Sequence, residues 1–199
     1  MTTVHENVNR PPQPRIARRR PWPHWLLTAA AFPPAGYVGH LVAGPVDTSA
    51  AAIVGGVITG AGIGAAQWSL LRRRGIGPGW IVATAIGLAG GGAAGAAFVS
   101  YRTDLASLAA AGAITGAVLG AAQAFQLGRR AALWWALLTS ALWALGWTVT
   151  TSAGISVEDQ FVVFGITGAL VVAWLQSTVI DLLVPRPATT GSTKIEVAS

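Results

Sequence analysis

Apolar residues along this chain come in six long, nearly unbroken blocks: 25–46, 50–71, 79–100, 105–127, 131–152 and 161–184. About 20 consecutive apolar residues are needed for a helix to cross a bilayer, and each block reaches that length. The blocks are continuous and rich in Ala and Gly, so they do not alternate as lipid-facing barrel strands do. The pattern predicts an all-α membrane protein, a bundle of six transmembrane helices over residues 21–184. Residues 1–20 are rich in Pro, Asn and Arg, residues 185–199 are polar, and neither tail can bury a core. Both are expected to be disordered.

The polar residues between the blocks set a direction. Of the 13 Lys and Arg residues, 12 fall in the tails or in the loops after the second and fourth blocks, and only Arg102 falls on the other side. Asp47, Asp104, Glu158 and Asp159 occupy the three loops on the sparsely basic side. Basic loops stay cytoplasmic, which predicts that both termini lie inside a cell inner (plasma) membrane. Trp22, Trp25, Trp68, Trp80, Trp134 and Trp135 cluster near the basic helix ends, as in an interfacial aromatic belt. A cleaved signal peptide with Arg18, Arg19 and Arg20 as its basic region is disfavoured. Its apolar stretch contains Pro23 and His24, and the apolar character runs on to Val46.

The chain also resembles itself. Residues 56–67 (GVITGAGIGAAQ) and 112–123 (GAITGAVLGAAQ) share nine of twelve positions at an offset of 56. An eroded third copy places Thr167 and Gln176 in the sixth block. Trp25, Trp80 and Trp135 recur at a spacing of 55. The unit is two helices: arginines, Trp, outward helix, acidic loop, inward helix, Gln. Three units, at about 18–71, 72–127 and 128–184, would share one orientation. Parallel repeats of this kind are related by an axis along the membrane normal, which predicts a pseudo-threefold bundle of hairpins.

Two segments carry a resemblance. Residues 64–72 read Gly-Ala-Ala-Gln-Trp-Ser-Leu-Leu-Arg, and residues 134–146 read Trp-Trp-Ala-Leu-Leu-Thr-Ser-Ala-Leu-Trp-Ala-Leu-Gly. Over roughly the middle two-thirds of the chain this resembles a group of uncharacterised bacterial multi-pass membrane proteins. The resemblance implies a membrane bundle and no particular activity.

Within the blocks, glycines recur every fourth residue: Gly56, Gly60 and Gly64; Gly87, Gly91 and Gly95; Gly112, Gly116 and Gly120. This spacing stacks them on one helix face, where backbones can approach closely. Internal helix packing is the expected use, with pairing to another protein or a second copy the alternative. Gln67 and Gln123 share the glycine face, and a buried amide in lipid must find partners. Gln67, Gln123 and Gln176, with Thr59, Thr115 and Thr167 above them, are therefore candidates for a polar axis, either a clasp or a constriction. The third copy departs from the others. Its Thr-to-Gln spacing is nine residues instead of eight, which turns Gln176 by roughly 100° on a helix of about 3.6 residues per turn. Asp181, near the basic end of the sixth block, is a candidate for an ion pair with Arg72–Arg74 or with Arg129 and Arg130. Pro33-Pro34 should bend the first helix or line a cavity. His40 reads as a hydrogen-bonded structural group.

Composition narrows the function. Hydrophobic residues make up 53% of the chain and charged ones 10%, against about 25% charged in a soluble domain, so no soluble domain remains. There is no cysteine, which excludes thiol and disulfide chemistry. The net charge of +6 is explained by topology, not by nucleic-acid binding. No paired carboxylates, metal-ligand helix motif or nucleophile elbow is present, and no cofactor or metal is expected. The sequence favours a non-catalytic membrane scaffold or interaction subunit, with lipid and another membrane protein or a second copy as partners. The alternative is a channel or facilitator for a small neutral or apolar solute.

Overall fold

A computed structural model describes residues 22–127, 129–155 and 161–183. Both predicted tails lie outside it, as do Glu158 and Asp159, and the side chains of Arg129, Arg130 and Asp181 are not among those described. The described residues are helical: α1 (Trp22–Ala29), α2 (Phe32–Ala43), α3 (Ser49–Leu71), α4 (Gly79–Phe98), α5 (Leu105–Ala124), α6 (Arg129–Ser152) and α7 (Ile166–Leu183). Each of α2 to α7 packs on its neighbour in sequence, and α1 comes back onto α7, so the helices close into a ring. Five segments are long and apolar enough to cross a membrane; the sixth apolar segment, Ile166–Ile180, is shorter. The outer surface is apolar, with Leu41, Ile86, Phe98 and Leu133 all exposed. Water does not favour such a surface and lipid does.

Two of the six expected helices differ in form. The first apolar block is two helices, α1 and α2, parted at Ala30 and Ala31. Pro33 and Pro34 have no N–H to donate back to the carbonyls of Ala29 and Ala30. They fit only in the first turn of a new helix, and they occupy the first turn of α2. The sixth block also starts later than expected. Residues 161–165 run without helical structure, and α7 begins at Ile166. Val162, Val163 and Phe164 are buried there as an apolar plug and do not extend the helix.

The helix starts at the acidic end are capped by short polar side chains. Thr48 accepts from the Ala51 N–H at 3.2 Å. Asp104 accepts from the Ser107 N–H at 3.0 Å and from the Ser107 hydroxyl at 2.6 Å. These bonds, the Ser107 hydroxyl first, hold the Asp104 carboxyl below its ordinary pKa. A lowered folded-state pKa means that the cap stabilises fully above the ordinary carboxylate pKa, and that this support is lost as pH falls through the lowered value. Acidification should therefore weaken the α5 start in the wild type and not in Asp104→Asn, read as amide exchange of residues 105–108 against pH. At the basic end, Arg74 donates to the Ile180 carbonyl at 3.3 Å, tying the turn after α3 to the last turns of α7.

The glycine ladders hold the ring together. A Cβ added at Gly56 would sit 2.6 Å from Ala89 Cα, and one at Gly60 would sit 2.7 Å from Ala85 Cα, so α3 lies backbone-to-backbone on α4. In the same way Gly87 and Gly91 bring α4 onto Leu119 and Thr115 of α5. Gly112 and Gly120 bring α5 onto Trp143 and Ala136 of α6. Gly64, Gly95 and Gly116 are closed off by Ile81, Ala111 and Ser140. The nine glycines thus face the next helix in the chain, where missing side chains let dispersion contacts form between backbones.

Candidate functional site

The bundle centre is filled at two levels. Toward the basic end, polar side chains of α3, α4, α5 and α6 meet. The Trp80 indole N–H donates to Gln67 Oε1 at 3.0 Å, and the Trp135 N–H donates to Gln123 Oε1 at 3.0 Å. Gln123 Nε2 donates to Thr84 Oγ1 at 3.0 Å and reaches Gln67 Oε1 at 3.5 Å. The Thr84 hydroxyl in turn donates to the Trp80 carbonyl at 2.7 Å. The two indoles meet edge to face with centroids 6.0 Å apart. All five side chains are buried. Each glutamine accepts from the tryptophan thirteen or twelve residues further on, at the start of the next helix.

Toward the acidic end the filling is aromatic. Phe164 stacks on Phe32 at 5.4 Å and meets Trp143 and Trp147 edge to face at 5.0 and 6.1 Å. Edge-to-face and offset pairs match the positive edge of one ring to the negative face of another.

The candidate polar-axis residues take different roles. Gln67 and Gln123 meet. Thr59, Thr115 and Thr167 do not form a ring with them, because each hydroxyl is used against a neighbouring helix. Thr59 donates to the Ala35 carbonyl at 3.2 Å, and Thr115 donates to the Ala111 and Gly91 carbonyls at 2.8 and 3.1 Å. Thr167 faces the Thr150 hydroxyl at 3.5 Å. Gln176 is buried but bonds to neither of the other amides. By the pattern of Gln67 and Gln123 it would accept from Trp25, and by that of Gln123 alone it would donate to Thr139, the counterpart of Thr84. Trp25 Nε1 and Thr139 Oγ1 are buried atoms without a hydrogen-bond partner. The Thr-to-Gln spacing before Gln176 is one residue longer than before Gln67 and Gln123.

Sequence reasoning placed Trp25, Trp80 and Trp135 in an interfacial belt. They are instead core residues; the Trp80 and Trp135 indole N–H groups find their partners in glutamine, and that of Trp25 has none. Trp134, at 68% exposure, does face outward. Trp68 donates to the Ile76 carbonyl at 3.1 Å, with the Arg72 guanidinium 5.8 Å over its ring. Thr84 and Thr139 were not singled out, although each follows its tryptophan by four residues, the spacing that puts both on one helix face. His40 packs on Phe161 at 4.6 Å with its Nδ1 buried and unpartnered, not hydrogen-bonded as expected. Among the described residues, no three His, Asp or Glu side chains gather into a metal-binding group.

No protein-family model, curated protein or solved structure matches the chain.

Proposed function

We propose that the chain is a non-catalytic integral membrane scaffold or interaction subunit, set in the cell inner membrane with both termini cytoplasmic. The observation that carries this reading is the double filling of the centre. A conduit needs a continuous polar path. Here the Gln67–Trp80–Thr84–Gln123–Trp135 network closes one level and the Phe32, Trp143, Trp147 and Phe164 rings close the other. The recurring Trp–Gln bond supports a bundle of three like-oriented hairpins about a common axis, with the Trp25–Gln176 joint as the imperfect third member. The distribution of arginines supports the orientation. The glycine faces are consumed inside the bundle, so a partner would meet the large aliphatic and aromatic side chains of the outer belt, Trp134 and Trp174 among them.

Flux assays in proteoliposomes test the reading. Vesicles carrying the protein are expected to pass glycerol or urea no faster than empty vesicles. Solute flux that disappears in Gln67→Leu and Gln123→Leu would establish the channel reading instead. Photocrosslinking from position 134 in native membranes should yield a discrete adduct with another protein or a second copy, and a chain that stays monomeric and unlinked would count against the scaffold.

A further inference from the structure

The ring is least well closed where its first and last helices meet. At the basic end α1 packs on α7, but beyond the break at Ala30 and Ala31 α2 lies mainly on α3 and only touches α7. A cavity of about 480 Å³ lies in the gap, within the ~300–1,000 Å³ range of ligand pockets. Its floor is buried and aromatic or branched: Phe32, Trp147, Val163 and Phe164. Its rim is formed by exposed Pro33, Pro34 and Tyr37 of α2 and by Ile155 after α6. Next to that rim, Val38, Leu41 and Val42 face outward, so the cavity is continuous with the apolar outer surface.

We propose that this cavity is a lateral binding site for one acyl chain of a phospholipid from the surrounding bilayer. Water is a poor occupant, because a buried water needs two to four polar partners. Among the described lining residues, the Thr150 hydroxyl already faces Thr167. A partner helix is too thick. At about 10–12 Å across, it would fill this volume with roughly one turn. A flexible hydrocarbon chain enters from the side without desolvating anything polar, and it gains dispersion contacts with the floor rings. The double proline matters here for a second reason. It ends α1 and starts α2 as a separate helix that lies mainly on α3, which keeps the gap from being closed by a continuous first helix. This inference rests on membrane embedding and not on the scaffold reading.

The full chain is reconstituted with phosphatidylethanolamine that carries a diazirine part-way along one acyl chain, irradiated, and mapped by peptide. Adducts are expected to concentrate on residues 32–37 and 161–165. Ile155→Trp, which fills the mouth, should lose them. Tyr37→Ala, which widens it, should keep or raise them, and Leu133→Trp should change nothing. Three results would overturn the site: adducts spread evenly over Leu41, Ile86, Phe98 and Leu133; cavity labelling that persists in Ile155→Trp; or residues 32–37 crosslinked to a second copy of the chain. The wild-type map decides between a site and a uniform lipid belt even if a variant folds poorly.

Discussion

Replacing Gln123 with leucine is expected to destabilise the bundle more than the same change at Gln67, and far more than at Gln176. Gln123 accepts from Trp135, donates to Thr84 and approaches Gln67. Its loss strands the Trp135 N–H in a buried site and deprives Thr84 Oγ1 of the bond it accepts. A buried donor left unsatisfied costs ~1–3 kcal/mol, so Gln123→Leu should fall at the top of that range or above it. Gln67→Leu strands only the Trp80 N–H. Gln176→Leu removes neither bond of this pattern, since Trp25 Nε1 and Thr139 Oγ1 are already unpartnered. Unfolding by denaturing detergent, followed by tryptophan fluorescence, gives the order directly. Trp135→Phe should recover part of the Gln123→Leu loss, because it removes the stranded donor itself. A Gln176→Leu loss as large as that of Gln123→Leu would mean that the third joint is as tightly bonded as the others.

Two adjacent glycines should respond to alanine with opposite sign. Gly91 is buried, and a Cβ there would lie 2.7 Å from the Thr115 carbonyl oxygen and 2.9 Å from Thr115 Cα. Both are backbone atoms, so α4 and α5 must separate, and overpacking of this kind costs ~1–3 kcal/mol. The move would also disturb the bond from the Thr115 hydroxyl to the Gly91 carbonyl. Gly90 faces outward, and its nearest neighbour to an added Cβ is Val118 Cγ1 at an ordinary 3.9 Å. Alanine there should stabilise by ~0.5–1 kcal/mol through reduced backbone entropy of the unfolded helix. The same detergent titration reads both. Equal effects at the two positions would mean that α4 does not present the Gly87, Gly91 and Gly95 face to α5.

How much of this could be read in advance follows from what each signal encodes. The apolar blocks specify helices because bilayer thickness fixes their length. Four-residue glycine spacing specifies contact faces because helix geometry does. The ordered recurrence of Trp and Gln marked both residue types but not their pairing. That pairing joins residues on successive helices, and a sequence scanned for like-with-like spacing groups glutamine with glutamine. Hence Gln67 and Gln123 were expected to meet each other, and the stronger bonds to Trp80 and Trp135 were not anticipated. The one-residue slip before Gln176 was legible; the unpartnered Trp25 Nε1 and Thr139 Oγ1 were not. The break at Ala30 and Ala31 follows from Pro33-Pro34, but the cavity beside it depends on where residues 161–165 pack. Their apolar run reads equally well as helix or as plug, because hydrophobicity alone does not distinguish burial by neighbours from burial by lipid.

The chain has no native cysteine, so substituted cysteines can report on the account as a whole. Arg73→Cys, Asp104→Cys and Thr84→Cys are introduced singly and probed with a membrane-impermeant maleimide in sealed vesicles of each orientation. A helical bundle set across a bilayer, its arginines on one side and its centre filled, predicts labelling of positions 73 and 104 from opposite faces and of position 84 from neither. Labelling of positions 73 and 104 from the same face, or ready labelling of position 84, would contradict it.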